Sequence, residues 1–177
     1  MARTSDTKQR IQDAARELFA EQGVQRTSLQ DIADKLGITK PALYYHFSSR
    51  EDLVRSIVLP LVDGFEAFVV AQEATAASPR ALLEEFFDLN YVHRHEFVLV
   101  LTELNLLTDL GLIDRTVTWR ERLARLLFRG EPTLAQAARA VIALGGLQDC
   151  TVQFAGAPVD DLRKAAVDGA LSALGFS

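Results

Sequence analysis

The chain has 177 residues, 49% hydrophobic and 24% charged, which is enough for one substantial core or two small ones and too apolar for a disordered or fibrous protein. No apolar run reaches the ~20 residues of a membrane span, the N-terminal MARTSDTKQR lacks the apolar centre of a signal peptide, and the lone Cys150 excludes an intrachain disulfide; a cytoplasmic protein with no membrane partner is expected. The net charge of −5 divides unevenly: residues 1–50 carry 8 Lys and Arg against 6 Asp and Glu, a balance of +2, and residues 51–177 carry 11 against 18, a balance of −7. A mildly basic head on an acidic body orients a protein on a polyanion, although two ordinary solvated surfaces also differ by this much.

The first predicted helix runs from about Ser5 to Glu21, with Ile11, Ala14, Ala15, Leu18 and Phe19 as its buried stripe and Gly23 just past its end. Arg3, Lys8 and Arg10 at its exposed start either reach phosphates or stay solvated. Thr27 or Ser28 then caps a second helix, with Gln30 or Asp31 three residues on, and Leu29, Ile32, Ala33 and Leu36 give it one apolar face. Gly37 supplies the positive φ of a sharp turn, and Ile38 is the apolar residue inside it. Thr39 caps a third helix whose first turn tolerates Pro41, and Ala42, Leu43 and Phe47 form its buried side.

The other face of that third helix carries Thr39, Lys40, Tyr44, Tyr45 and His46, a set of donors and flat rings. A helix in the major groove uses such groups: Lys and N-terminal amides for phosphate or guanine, hydroxyls for phosphate oxygens, an aromatic ring against a thymine methyl. Tyrosines that merely cover a small hairpin's core are the plainer reading of a Tyr pair taken alone. The agreement of caps, glycine, proline and donor cluster favours a helix-turn-helix that binds DNA.

Ser49 caps a long fourth helix from about Arg50 through Glu73, carrying Leu53, Ile57, Leu61, Phe65 and Phe68 on one side. Pro60 within it either acts as a hinge or only bends the helix around the core. After the break ATAASPR, a fifth helix opens on Ser78 and Pro79 and runs to about His93. A sixth follows from about Glu96 to Leu107, a seventh from Ile113 to Phe128, an eighth from Thr133 through Ala155, and a ninth beyond Pro158 to Leu174. No strand period appears, so the fold class is all-α with about nine helices: a three-helix head at residues 1–48 and a helical bundle at 49–177.

The segment TSLQDIADKLGITKPALYYHFSSREDLV, with ARELFAEQGVQRTS before it, resembles the DNA-binding domain of the tetracycline-repressor (TetR) family of bacterial transcription regulators. Phe19, Gly23, Thr27, Ile32, Ala33, Gly37, Tyr44, His46, Phe47 and Leu53 carry the likeness, over about the first third of the chain. The resemblance implies an all-helical homodimer that binds a near-palindromic operator and releases it when a small molecule occupies the C-terminal domain. It assigns Thr27, Ser28, Tyr45, His46 and Arg50 to the phosphate backbone, and Thr39, Lys40, Pro41, Ala42 and Tyr44 to the groove. Arg50 is a departure, because many relatives carry Lys there; either cation pairs with phosphate, Arg bidentately.

Polar residues on faces that should be dry point to a ligand pocket in the bundle. Asn90 and His93 continue the spacing of Leu82 and Phe86, Asn105 follows Leu101 by four, and Trp119, Gln148, Cys150 and Gln153 complete the set. The predicted lining is Phe86, Asn90, His93, Leu101, Asn105, Trp119, Gln148 and Gln153, a largely apolar wall with few donors; each alone also reads as an ordinary satisfied polar group. His93 and His95 diverge by about 200° on a helix, so no metal is expected, and with no phosphate loop or nucleophile elbow neither are a cofactor or an enzyme. Small residues in the last two helices, among them Ala143, Gly145, Gly146, Ala166, Gly169, Ala170 and Ala173, suit a two-fold four-helix dimer interface. Two rivals stay open: a regulator without a small-molecule effector, answering to a protein partner, and a ligand-binding protein with a vestigial head.

Overall fold

Local signals decide where the helices begin and end in the computed structural model, which describes residues 2–75, 77–102, 108 and 111–176, with side chains from Asp6 and none over 101–107. Among the described residues there are nine α-helices and no strand: α1 (Ala2–Gln22), α2 (Leu29–Leu36), α3 (Lys40–His46), α4 (Arg50–Thr75), α5 (Pro79–Val92), α6 (Arg94–Thr102), α7 (Leu112–Phe128), α8 (Leu134–Gln153) and α9 (Val159–Leu174). A short 3-10 turn, Val24–Arg26, which the periodicity did not predict, joins α1 to α2.

The chain divides into two compact units. The first holds α1 to α3, α4 as far as Leu61, and α6 from His95. Its core is built on Ile11, Ala15, Ile32, Leu43, Phe47, Leu53 and Ile57, none more than 1% exposed. Burying each of the larger of these side chains contributes roughly 1.5–3 kcal/mol. The turn between α2 and α3 closes as expected. Gly37 stands at φ +64, and its N–H and that of Ile38 satisfy the last carbonyls of α2.

The second unit holds α4 from Val62, together with α5 and α7 to α9. Within it α9 packs against α8 and α5, and α8 also against α5 and α7. Ser78 and Thr133 cap α5 and α8 through their hydroxyls, the latter in a reciprocal capping box with Gln136. Two ion pairs fasten α5 to α9: Arg163 to Asp88 through two bonds of 2.8 and 2.7 Å, and Arg80 to Asp168 at 2.8 Å. Among the described residues no helix is long and apolar enough to cross a membrane.

Candidate nucleic-acid interface

α3 has one face in the core and one that is largely exposed among the described residues. Leu43 is fully buried and Phe47 nearly so. Thr39, Lys40, Pro41, Ala42, Tyr44 and Tyr45 are exposed, and His46 is half-buried. Tyr45 is 80% exposed and Tyr44 46%, so neither ring serves the core, and two adjacent exposed aromatics on a seven-residue helix mark a contact surface. They are held in place by neighbours: Lys40 Nζ lies 5.8 Å from the Tyr44 ring centre, and Tyr45 meets His46 edge-to-face at 5.2 Å. The Thr39 hydroxyl accepts from the Ala42 N–H at 3.4 Å, and Pro41 needs no N–H partner.

The predicted phosphate contacts separate into three cases. Ser28 is exposed and committed to a full capping box: its hydroxyl accepts from the Asp31 N–H, and its own N–H donates to the Asp31 carboxylate at 2.8 Å. That backbone bond, seconded by the hydroxyl, holds the Asp31 carboxyl below the usual carboxylate range. Arg50 donates from Nη1 to the Val24 carbonyl at 3.1 Å and pairs with Glu51 at 3.7 Å, so it pins the 3-10 turn to the start of α4.

Thr27 corrects the sequence expectation. It is only 2% exposed, and its hydroxyl donates inward to the Gly23 carbonyl at 2.9 Å while accepting from Gln22 Nε2 at 3.2 Å. Thr27 ends the 3-10 turn, its N–H donating to the Val24 carbonyl at 3.1 Å, and this close turn folds its side chain back toward α1. Its side chain belongs to the core, not to the exposed face.

In the second unit the predicted lining is partly brought together. Phe86 and Trp119 are both buried and share Phe65 of α4, which stacks on Trp119 at 5.6 Å and meets Phe86 edge-on at 6.0 Å. Each buried polar member has a partner within the protein. Asn90 donates to the Phe86 carbonyl at 2.7 Å, Trp119 Nε1 to Glu66 at 2.6 Å, and Gln148 accepts from Arg120 at 3.1 Å. His93 stands at the C-terminal end of α5, where a Cβ added to Gly64 would come within 3.9 Å of its Nε2. Gln153 is exposed on the last turn of α8. It sits five residues after Gln148, about 140° around the helix, so the two cannot share an interior face. The Leu101 side chain and Asn105 lie outside the described residues.

Sequence reasoning missed the partly exposed carboxylates that tie α4 to α7. Arg122 of α7 bridges Glu66 and Glu73 of α4 with bonds of 2.7 to 2.8 Å, bidentate to Glu73. Its hydrogen bonds hold both carboxyls below their usual range, with the Trp119 N–H assisting at Glu66, and the same two partners raise the guanidinium further. Glu66 and Glu73 are seven apart and share a helix face, which is the one signal the sequence offered. Cys150 is half-buried, and burial followed by the nearby Asp149 charge pushes its thiol up, away from thiolate chemistry. A groove of about 500 Å³ lined by Ser78, Pro79, Arg80, Asp168, Leu171, Ser172 and Phe176 contains none of the predicted lining residues.

With that geometry in hand, known proteins place the chain. The family model for bacterial regulatory proteins, tetR family, matches residues 11–57. The HTH-type transcriptional repressor KstR2 of Rhodococcus jostii (strain RHA1) is 37% identical over 79 residues, 45% of this chain and 39% of that protein. The uncharacterized HTH-type transcriptional regulator TtgW of Pseudomonas putida is 33% identical over 94 residues, 45% of this chain and 70% of that protein. The chain thus spans less than half the length of the Rhodococcus relative and over two thirds of the Pseudomonas one. The solved structure of the ketosteroid transcriptional regulator KstR2 of Mycobacterium tuberculosis has the same fold, with a TM-score of 0.75 at 23% identity over 96% of this chain and 93% of that one.

Proposed function

The chain belongs to the TetR family of DNA-binding transcriptional regulators, and from that premise we propose that it is a repressor acting as a homodimer on a near-palindromic operator. The observation that carries this reading is the exposed, capped face of α3. Lys40, Tyr44 and the first-turn residues Thr39, Pro41 and Ala42 enter the major groove; Ser28, Tyr45, His46 and Arg50 lie along the phosphates. Arg50 reaches them only by exchanging part of its hold on the Val24 carbonyl. Residues 1–48, helped by Arg50 at the start of α4, read the DNA, and the rest of residues 49–177 carries dimerisation and effector response.

Two copies associate through α8 and α9. An exposed apolar stripe supports this: Leu134, Ala138, Val141, Ile142 and half-buried Gly145 recur at helical spacing along α8. The interface sets the two α3 helices about one turn of DNA apart, roughly 34 Å or a multiple of it. An apolar effector lodged against Phe65, Phe86 and Trp119 then releases the operator. A hundredfold loss of DNA affinity asks about 2.7 kcal/mol of difference in effector affinity between the two states. One observation favours a second reading, regulation without a small molecule: Asn90, Trp119 and Gln148 each already make a hydrogen bond within the protein.

Selection from randomised DNA with the purified chain, followed by sedimentation of the enriched site with protein, tests the proposal. A palindrome bound by two protomers is the expected result. No enriched site contradicts DNA recognition, and one protomer per site contradicts the dimer.

A further inference from the structure

Pro60 lies inside α4. In an unbroken α-helix the N–H of residue 60 would bond to the carbonyl of residue 56; proline has no N–H, so the Ser56 carbonyl loses its helical partner. A side chain from another helix stands at that carbonyl. Gln12 of α1 places its Nε2 at 3.3 Å from the Ser56 carbonyl oxygen and 2.9 Å from Ser56 Oγ. The Ser56 hydroxyl spends its own hydrogen on the Leu53 carbonyl at 2.7 Å, so toward Gln12 it acts as an acceptor. Two acceptors on Ser56 therefore face the two N–H groups of one carboxamide, in a half-buried place where an unmet carbonyl is costly.

We propose that Gln12 is a positioning residue for DNA recognition: its carboxamide replaces the N–H that Pro60 lacks, and the stranded Ser56 carbonyl is the point at which α1 is fastened to α4. The DNA part of this inference rests on the function proposed above. α1 packs on α2, and α2 on α3, so the pose of α1 on α4 sets the pose of the recognition helix. One turn along the same face, Arg16 pairs with Glu96 of α6 at 3.0 Å, a second tether that owes nothing to Pro60. An unbroken helix would leave Ser56 with little to offer Gln12 beyond its hydroxyl. The proline thus creates the docking point.

The test is a cycle of four full-length proteins: wild type, Gln12→Met, Pro60→Ala, and the two together, each titrated with the selected operator under conditions where all are fully folded. Pro60→Ala restores the missing N–H. Gln12→Met should weaken operator binding about tenfold when Pro60 is present and less than about threefold in the Pro60→Ala background. Arg16→Met serves as the control and should weaken binding by the same factor in both backgrounds. Equal losses from Gln12→Met in the two backgrounds overturn the proposal. Should Gln12→Met not fold, Gln12→Asn, whose shorter arm keeps the amide, takes its place under the same criterion. If the wild type binds no DNA sequence, the regulator reading falls, and denaturation midpoints of the same four proteins still decide the fastening: a Gln12→Met loss that shrinks in the Pro60→Ala background supports it, and one that does not shrink refutes it.

Discussion

The polar side chains of α3 and those between α4 and α7 stand in opposite conditions. On α3, Lys40, Tyr44 and Tyr45 are exposed, and Lys40 and Tyr44 meet chiefly each other; between α4 and α7, Glu66, Trp119 and Arg122 are bound to one another across helices. Surface left unspent in this way is available to a partner, whereas a closed network is spent on holding two helices in register. On the proposed function, the difference assigns DNA recognition to the exposed face in the first unit, while the second unit's polar groups hold α4 to α7. It also explains why a set of buried polar names is poor evidence of a pocket: most such groups have already found partners.

That contrast can be broken experimentally, beginning with the largest effect. Phe87→Ala, which empties a fully buried site in the second unit, should cost about 3–5 kcal/mol of stability in urea denaturation, well beyond any substitution on the exposed face of α3. Next come Lys40→Ala and Tyr44→Ala, each expected to cost about 1–3 kcal/mol of specific DNA affinity while leaving circular dichroism and the oligomeric state unchanged. Lys40→Ala should also flatten the fall of affinity with salt, because it removes one cation from the DNA-facing surface. Loss of fold in either variant would mean that the face is structural.

Thr27 and Ser28 sharpen the comparison inside the first unit. Thr27→Val keeps the shape and leaves the Gly23 carbonyl without its donor, a loss of about 1–3 kcal/mol in folding, with no loss of operator affinity once the variant is folded. Ser28→Ala removes the α2 cap and should cost roughly 0.5–2 kcal/mol. The smallest effect concerns acid. Glu66 and Glu73 have carboxyls held low by Arg122, so their contribution is fully present above the ordinary glutamate value of about 4.3 and fades as pH falls through the lower folded values. Arg122→Met should flatten the acid limb of a stability–pH curve, modestly, because both carboxylates are partly exposed.

How much of this was legible in the sequence follows the distance over which each feature acts. Ser28, Gly37, Thr39 and Pro41 act within one turn of their own position, and the structure places helix ends at each of them. The helices of the bundle were legible for the same reason, through Ser78, Thr133 and Pro158. Arg122 and Glu66, 56 residues apart, leave no local trace of their pairing. Gln153 is a different kind of miss, since its angle from Gln148 was available from spacing alone. Thr27 was assigned outward through family likeness, whereas it ends an unpredicted 3-10 turn with its hydroxyl directed inward to the Gly23 carbonyl.

On the proposed function, the exposed face of α3 lies in the major groove. Photocrosslinking tests it most directly, with 5-iododeoxyuridine replacing each operator thymine in turn and the attachment point read by mass spectrometry, because the iodine stands where the thymine methyl projects into that groove. Attachment at Tyr44 or its α3 neighbours from a symmetric pair of positions is the predicted result. Crosslinks that fall only outside Thr39–His46 would contradict it.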